Sequence, residues 1–527
     1  MSKALQPYQK ELFGHPVGLY YLFFTELWER FSYYGMRAIL VLYLVAQTGG
    51  DNPGLGWTND SAIALYGWYT MFVYVATIPG GLLADRILGE RKSVMLGGLL
   101  LCIGHSVLAI EDMTAFYTGL GFIVLGVGCL KGNISSMVGG LYSKLSNDKR
   151  DMGFYIFYMG INIGAATASI IVGYVGEEIG WHYGFGLAGI GMAIGQLFYW
   201  RGQKYLAHVG NLVKVQSTSS SDSNLISKIF EKSNSMIGFF LTLGLALTIY
   251  LYWESWSYAL LVAGLAFAVG IAIVIYNDGS KIEKDRILVT YIAFLIVIVF
   301  WGAFEQAGGL MNLYAKQKTD LVLTENFIVP ASWFQSLNAI FIIIFASVIG
   351  SFWVWWKNKG KEYSGIFKMA IGVIIMGWGF FFMSAASNEV QYDSAGEIVE
   401  KSAMYWLVLA YFFHTIGELC TSPTALSFIT KLSPARWSAF MMGAYFAVTG
   451  LGNKVAGLIG ENASEVGEFW TFTGIAIFCT IFGLLFLLII KPPPQPDPKI
   501  IPKTVLKFFA DPSNASDKAK QFASFSQ

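Results

Sequence analysis

Charged residues are scarce in this chain. They make up 13% of its 527 residues, whereas hydrophobic residues make up 55%. Soluble domains carry about a quarter charged residues, so the composition excludes an ordinary soluble protein. The same hydrophobicity excludes a disordered chain, and the formal net charge of +1 gives no basic excess that would favour a nucleic-acid partner.

Cysteine and histidine are equally rare, and their spacing excludes several kinds of site. The four cysteines lie inside apolar blocks without paired spacing, so we expect small buried side chains rather than disulfides or metal ligands. The five histidines form no HxxxH or HExxH pattern, and no GxSxG occurs. We therefore expect no metal, no cofactor and no enzymatic centre.

Apolar blocks of about 20 residues, separated by short polar segments, are the dominant feature of the chain. The pattern predicts an all-α polytopic membrane protein with about fourteen spans, arranged as six, two and six. The first sixteen residues contain no apolar core, so we expect no cleavable signal peptide. The predicted spans are 17–47, 61–85, 93–110, 114–141, 151–176, 182–200, 236–254, 257–276, 288–315, 329–356, 365–386, 403–430, 437–460 and 468–490.

The charges of the loops predict the orientation. Basic residues gather in alternate loops, and the loops between them are mostly acidic. By the positive-inside rule both termini are expected in the cytoplasm, which an even number of spans also requires. The basic residues of the predicted cytoplasmic loops include Arg86, Arg91, Lys144, Lys204, Lys284, Lys357 and Lys431.

Two sets of six spans joined by a long polar linker match the major facilitator architecture, in which the substrate site lies between the halves near the bilayer midplane. The loop GGLLADRILGERK, with Asp85, Arg86 and Arg91, resembles the signature of the cytoplasmic loop 2–3 in that superfamily. The predicted domains are an N-terminal bundle 1–200, a linker with an inserted hairpin 201–287, a C-terminal bundle 288–490 and a cytoplasmic tail 491–527.

Ionisable residues nevertheless occur inside the predicted spans. A Lys, Arg or Asp at the centre of a span costs about 2.5–3.5 kcal/mol on an insertion scale, so each needs a partner or a polar cavity. Away from the ends of the spans there are four acids and four Lys or Arg residues, which favours mutual pairing around a functional cavity. They are Glu26, Glu29, Arg30, Arg37, Lys131, Glu305, Glu418 and Lys454.

The first predicted span holds the densest cluster, in TELWERFSYYGMR. At 100° per residue its polar side chains share one helix face. Two carboxylates beside one arginine cannot both be satisfied by a single ion pair, so one of them is a candidate carrier of a transferable proton. The side chains of this stripe are Glu26, Glu29, Arg30, Tyr33, Tyr34 and Arg37.

Other polar side chains lie on spans that could line the same cavity. The candidates are Tyr69, Lys131, Tyr158, Asn162, Trp301, Glu305, Asn338, Glu418 and Ser422. The bases Arg37 and Lys131 belong to the first half, whereas Glu418 belongs to the second. Such opposed charges suit a short zwitterion, for example a peptide with a free amine and a free carboxylate.

The ELWERFSYYG run, from Glu26 to Gly35, resembles the ExxERFxYYG signature of the proton-dependent oligopeptide transporter (POT, or PTR) family. FYMGINIG resembles the FYxxINxG motif of the same family, and WGAFEQ and GELCTSPTAL also fit it. These motifs lie in both halves, so the resemblance covers nearly the whole chain apart from the tail. The inserted helix pair is similar to that of prokaryotic members.

The resemblance implies proton-coupled import of di- and tripeptides across the bacterial inner membrane, with protons as the coupling ion and no other cofactor. Glu26, Glu29 and Arg30 resemble the proton-coupling triplet, with which Lys131 could pair. Glu305 resembles an acid of the seventh span linked to coupling or gating. Arg37 and Lys131 resemble the family's residues that bind the peptide carboxylate. Glu418, aided by Asn162 and Asn338, resembles the acid that binds the peptide amine. The implied pocket lining is Tyr33, Tyr34, Tyr69, Tyr158, Trp301 and Ser422.

Two points leave alternatives open. Animal members use a histidine of the second span in proton handling, but that span has none here, so proton coupling is expected to rest on carboxylates. Plant members can move nitrate, so an importer of nitrate or of another small solute is the alternative, and a drug exporter of the same fold is a further one. A nitrate carrier would not need Glu418. Peptide length, proton stoichiometry and oligomeric state do not follow from the sequence.

Overall fold

The structure is a computed structural model. It describes residues 10–142, 147–212, 243–252, 255–359, 364–434 and 438–489. The predicted tail 491–527 lies outside these residues, as do residues 213–235 of the linker and residues 236–242 and 253–254 of the predicted span 236–254. The domain boundaries drawn there from the sequence therefore stay predictions.

Helices dominate the first half of the chain. α1 begins directly after Pro16, whose fixed φ and missing amide hydrogen suit the residue before a helix. Thr58 and Asp112 cap α2 and α5, because each side chain accepts a hydrogen bond from the first helical turn. The helices are α1 Val17–Val45, α2 Asn59–Val75, α3 Thr77–Leu83, α4 Glu90–Leu108, α5 Met113–Gly140, α6 Asn147–Tyr174 and α7 Trp181–Leu206.

The second half is also helical, with short antiparallel hairpins in its loops. The helices are α8 Leu243–Tyr252, α9 Trp256–Asp278, α10 Lys281–Phe304, α11 Leu310–Lys318, α12 Phe334–Asn358, α13 Gly365–Glu389, α14 Tyr405–Leu432, α15 Ser438–Glu461, α16 Ala463–Val466 and α17 Glu468–Ile489. The strands pair as β1 Glu11–Leu12 with β2 His15–Pro16, β3 Val322–Thr324 with β4 Phe327–Ile328, and β5 Gln391–Tyr392 with β6 Ile398–Glu400.

Among the described residues, eight helical segments are long and apolar enough to cross a membrane. α1 has the required length, but its charged residues Glu26, Glu29, Arg30 and Arg37 lower its hydropathy. These helices make the chain a multi-pass membrane protein, and the predicted all-α polytopic fold is confirmed.

The helices pack within each half and across a central interface. α1 packs against α6 and α7, and α4 packs against α5; in the second half α13 packs against α14 and α17. The most extensive contacts between the halves are those of α2 with α15 and of α6 with α12. These helices carry four of the candidate site residues, namely Tyr69, Tyr158, Asn162 and Asn338.

The predicted span 288–315, which is the seventh when the inserted hairpin is not counted, differs most from its prediction. α10 starts at Lys281 because Ser280 and Glu283 form a reciprocal capping box. After Phe304 the chain makes a single 3₁₀ turn, Glu305–Ala307, and α11 then continues to Lys318. Two glycines, 308 and 309, separate the turn from α11. The acid Glu305 therefore lies at a helix break rather than inside a continuous helix.

Three further points concern where helices end and whether they are continuous. α7 continues to Leu206, beyond the predicted boundary at 200. The predicted span 61–85 is divided into α2 and α3 at Ala76. α14 runs from Tyr405 to Leu432 although Pro423 lies inside it.

Candidate functional site

The first group of site residues is a buried triad on α1. Nε of Arg30 lies 2.7 Å from Oε1 of Glu26 and 2.9 Å from Oε2 of Glu29. Arg30 donates an aligned hydrogen bond to Glu26, whereas neither oxygen of Glu29 accepts one from the described residues. Glu29 is also fully buried. One guanidinium therefore faces two acids, as the sequence predicts, and Glu29 is the less well satisfied of the two.

A second buried group joins the two halves of the molecule. Arg37 on α1 donates from Nε to the hydroxyl of Tyr66 on α2, at 2.6 Å. That hydroxyl in turn donates to Oε1 of Glu305, at 2.5 Å. The same carboxylate oxygen lies 3.1 Å from an Nη atom of Arg37. The three side chains are almost fully buried. Arg37, which the sequence predicts to bind a peptide carboxylate, is therefore paired here with Glu305 of the protein itself.

Lys131 on α5 has an aromatic partner. Its Nζ lies 3.5 Å from the centre of the Tyr74 ring, which is within the range of a favourable cation–π contact. It also interacts electrostatically with Glu29 and Glu26. Lys131 thus lies within electrostatic range of the α1 triad but has no direct ion pair among the described contacts.

The acidic group of the second half lies on α14. Oε2 of Glu418 accepts a hydrogen bond of 2.8 Å from Nδ2 of Asn338 on α12. The same amide donates to the hydroxyl of Thr415 at 3.1 Å, one turn before Glu418. Asn338 thus fixes the carboxylate, and Glu418 has further accepting capacity for a ligand because one carboxylate offers about four acceptor positions.

The charged groups of the two halves lie within electrostatic range of each other. Glu418 interacts electrostatically with Arg37 and Glu305, although these side chains belong to different halves. Tyr34 and Tyr158 interact with Glu418 as well. The side chain of Tyr158 is 40% exposed, so packing does not enclose it completely.

The remaining predicted lining residues fall into two groups. Tyr33 and Tyr69 are buried, and the hydroxyl of Tyr69 has no partner among the described residues. Trp301 is partly exposed and lies beside Tyr445 on α15. Asn162 donates to the backbone carbonyl of Tyr158 on its own helix. Ser422, one turn after Glu418 on α14, has a buried hydroxyl without a described partner.

Several residues of the site were missed in the sequence. They are three tyrosines. Tyr66 contacts Arg37, Tyr74 contacts Lys131, and Tyr445 lies beside Trp301. The second span contains three tyrosines at positions 66, 69 and 74, and nothing in their spacing shows which of them faces the charged side chains. Only the packing of α2 against its neighbours decides this.

Comparisons with known proteins agree with the architecture. The family model described as PTR2, POT family, matches residues 91–469. A di-/tripeptide transporter of Lactococcus lactis subsp. cremoris is 36% identical over 496 residues, which cover 92% of this chain and 97% of that protein. The crystal structure of peptide transporter POT in complex with sulfate has a TM-score of 0.77 at 34% identity and covers 91% of this chain and 96% of its own.

A further crystal structure, of a POT family transporter in complex with 5-aminolevulinic acid, has a TM-score of 0.76 at 30% identity. It covers 91% of this chain and 97% of its own. The similarity therefore extends over both helix bundles and is not limited to a single motif. The chain has the major facilitator fold and belongs to the POT family of transporters.

Proposed function

We propose that this protein is a proton-coupled symporter that imports di- and tripeptides by alternating access. We place it in the bacterial inner membrane with both termini in the cytoplasm. The observation that carries the proposal is the placement of opposite charges on the two halves, with Glu418 in electrostatic range of Arg37. Arg37 and Lys131 lie on the first half, and Glu418 lies on the second.

A short peptide fits these charged groups chemically. Its carboxylate would bind Arg37 and Lys131, and its ammonium group would bind Glu418, which Asn338 already orients. Charge-assisted hydrogen bonds of this kind are stronger than neutral ones. The Lactococcus relative bears the name di-/tripeptide transporter, which supports the same class of substrate. The aromatic side chains Tyr34, Tyr158 and Trp301 would then contact the peptide between its charged ends.

Glu29 is our candidate for the proton carrier. A fully buried carboxylate without a hydrogen-bond donor is costly when ionised, and Arg30 is already engaged by Glu26. Protonation of Glu29 removes one negative charge from the triad. Lys131, which interacts electrostatically with Glu29, is then free to receive the peptide carboxylate.

We assign the arrangement to the inward-facing state of this cycle, because contacts between the halves close the opposite end. We call the end of the bundle that carries the loops 46–58, 319–333 and 462–467 the outer end, following the predicted orientation. There the halves are joined by a reciprocal amide pair between Asn59 and Gln317 and by a hydrogen bond from Ser464 to Asp60. Arg37 and Glu305 also join the two halves, farther from the loops of the outer end.

The cycle follows from these contacts. When the halves part at the outer end, Arg37 separates from Glu305 and a proton and a peptide bind from outside. The halves then rock to the inward-facing state. Loss of the proton to the cytoplasm restores the charge on Glu29, which draws Lys131 back and releases the peptide. Inward movement of one positive charge releases about 2.3 kcal/mol per 100 mV of membrane potential, and each pH unit adds about 1.4 kcal/mol.

An importer of nitrate is the second candidate function, and the presence of Glu418 argues against it. A carboxylate in the cavity repels an anion, whereas Asn338 and Thr415 are arranged to hold that carboxylate in place. A drug exporter would favour a broad apolar cavity. It would gain little from charged groups in both halves.

Ligand binding to the purified full-length protein tests the class of substrate without a gradient. Dialanine is expected to bind, and N-acetyl-dialanine, which lacks the cationic amine, is expected to bind at least about tenfold more weakly because Glu418 then faces no ammonium group. Nitrate is expected not to displace dialanine. Equal binding of both dipeptides, or displacement by nitrate alone, would contradict the assignment.

A further inference from the structure

A buried carboxylate at the outer end takes no part in the site described above. Glu177 follows α6 in a short π-helical turn, Val175–Ile179, and its side chain is completely buried. Its Oε2 lies 2.8 Å from Nζ of Lys316 at the end of α11. Glu177 belongs to the first half and Lys316 to the second, so the ion pair crosses between the halves.

The same carboxylate also binds the chain that leads into α12. Oε1 accepts a hydrogen bond of 2.9 Å from the backbone N–H of Ser332, and Oε2 accepts one of 3.3 Å from that of Ala331. These amides open the 3₁₀ turn Ala331–Trp333, which continues directly into α12. The first N–H groups of a helix lack partners within the helix, so Glu177 supplies from the opposite half the acceptor that this turn requires.

Two neighbouring contacts tie the same end of α12 to the first half. Nε1 of Trp333 donates to the carbonyl of Ile170 on α6, at 2.9 Å. Nε2 of Gln335 donates to the carbonyl of Ala38 on α1, at 3.3 Å. All these donors lie on the second half and all the acceptors on the first. The α6–α12 side of the interface is therefore closed at the outer end by contacts that must break when that end opens.

This group is separate from the closure formed by Arg37, Tyr66 and Glu305. The latter involves α1, α2 and the break after α10, whereas Glu177 acts between the α6–α7 turn and α12. Once the halves part, water replaces the donors of Glu177, so its carboxylate remains solvated in the open state. It therefore contributes to the balance between the states without being essential to the fold of either half.

We propose that Glu177 is a positioning residue of the transport cycle, which stabilises the inward-facing state by holding Lys316 and the start of α12 against the first half. The inference rests on the alternating access proposed above. It predicts that weakening this contact shifts the protein toward the outward-open state. The apparent affinity for a peptide offered from outside should then rise, because the outward-open fraction that can bind it is larger.

The variants are ranked by the contacts that each one removes. Glu177→Ala loses all three, and Glu177→Gln keeps an amide oxygen for one backbone N–H but loses the ion pair. Lys316→Gln removes only the ion pair, and the Lys316 side chain is 43% exposed, so its effect should be the smallest. Glu178→Gln is the matched control, because the neighbouring Glu178 is exposed and makes none of these contacts.

The first readout is a distance across the outer end, measured by spin labels at Asp51 and Glu325 in the full-length protein with its four cysteines replaced. Both positions are exposed and lie in outer loops of different halves. Loss of hydrogen bonds to a charged group should raise the population with the longer distance by about tenfold in Glu177→Ala. Smaller increases are expected in Glu177→Gln and then in Lys316→Gln, and none in Glu178→Gln.

The second readout is transport of external dialanine in proteoliposomes by Glu177→Gln. We expect a lower KM together with a lower maximal rate, because closure of the outer end becomes less favourable. Mere structural damage would reduce the number of active molecules and lower the maximal rate at an unchanged KM. An unchanged distance distribution in Glu177→Ala and Glu177→Gln overturns the proposal. Because the distance measurement needs no peptide, a shift of the populations without any dialanine transport would uphold the role of Glu177 and contradict the proposed substrate instead.

Discussion

The hydroxyl of Tyr66 lies 2.5 Å from Oε1 of Glu305 and receives a hydrogen bond from Arg37. One phenol of α2 thus links an arginine of the first half to an acid of the second half. An added Cβ at Gly308 would lie 1.9 Å from this hydroxyl, so the glycine at the break after α10 makes the contact possible. Arg37, Tyr66 and Glu305 therefore form the outer closure of the proposed site. The sequence indicated Arg37 and Glu305 as site residues but not Tyr66.

Removal of this hydroxyl should weaken the closure. Tyr66→Phe leaves the charges of Arg37 and Glu305 in place but removes a hydrogen bond from each, which is expected to cost about 1–3 kcal/mol. Thermal unfolding of the purified protein measures the loss. Tyr69→Phe is a suitable comparison, since Tyr69 is a buried tyrosine of the same helix whose hydroxyl has no described partner. Equal melting temperatures of the two variants would show that the Tyr66 hydroxyl contributes nothing.

Neutralisation of Glu29 should separate proton coupling from peptide movement. Glu29→Gln resembles the protonated acid, so the triad can no longer change its charge during the cycle. We expect loss of uptake driven by a proton gradient and retention of peptide exchange between the two sides of a vesicle. The exposed Glu111 of an outer loop provides the control variant Glu111→Gln. Gradient-driven uptake at the normal rate in Glu29→Gln would rule out Glu29 as the proton carrier.

Asn338 and Glu418 should act as one unit in peptide binding. Glu418→Gln removes the charge that would bind the ammonium group, and Asn338→Ala removes the donor that orients it. Residues in direct contact show coupling energies of about 0.5–3 kcal/mol. Dialanine dissociation constants of the two single variants and the double variant measure this term. Strictly additive effects would mean that Asn338 does not act through Glu418.

The close contact between α2 and α15 should be sensitive to a single methyl group. An added Cβ at Gly457 would lie 2.8 Å from the Cα of Gly67, so Gly457→Ala must push the two helices apart. Overpacking of this kind costs about 1–3 kcal/mol. Gly121→Ala is the control, because nothing lies within 4 Å of an added Cβ there and alanine favours the helix. A Gly457→Ala protein as stable as Gly121→Ala would contradict the packing of this interface.

The features that could be predicted from the sequence are those governed by a single helix. The spacing of Glu26, Glu29 and Arg30 places them on one face of α1 whatever the neighbours are, and the structure brings their charged atoms together. The membrane fold and the family prediction are likewise confirmed, because composition and the ELWERFSYYG motif do not depend on tertiary contacts.

Contacts between helices could not be predicted in the same way. The placement of Tyr74 under Lys131 and of Glu177 at the start of α12 depends on how helices distant in sequence pack. The helix break at Glu305 was missed because the apolar run conceals it, and a capping box was overlooked at Ser280. The assignment of individual side chains to peptide or proton binding stays a prediction.

Uptake of labelled dialanine into proteoliposomes tests the central claim most directly. The vesicles carry an acidic exterior and an inside-negative potential, and a parallel sample receives an uncoupler. We predict that dialanine accumulates above its external concentration and that the uncoupler abolishes the accumulation. Dialanine that merely equilibrates, with no response to either gradient, would contradict proton-coupled import by this protein.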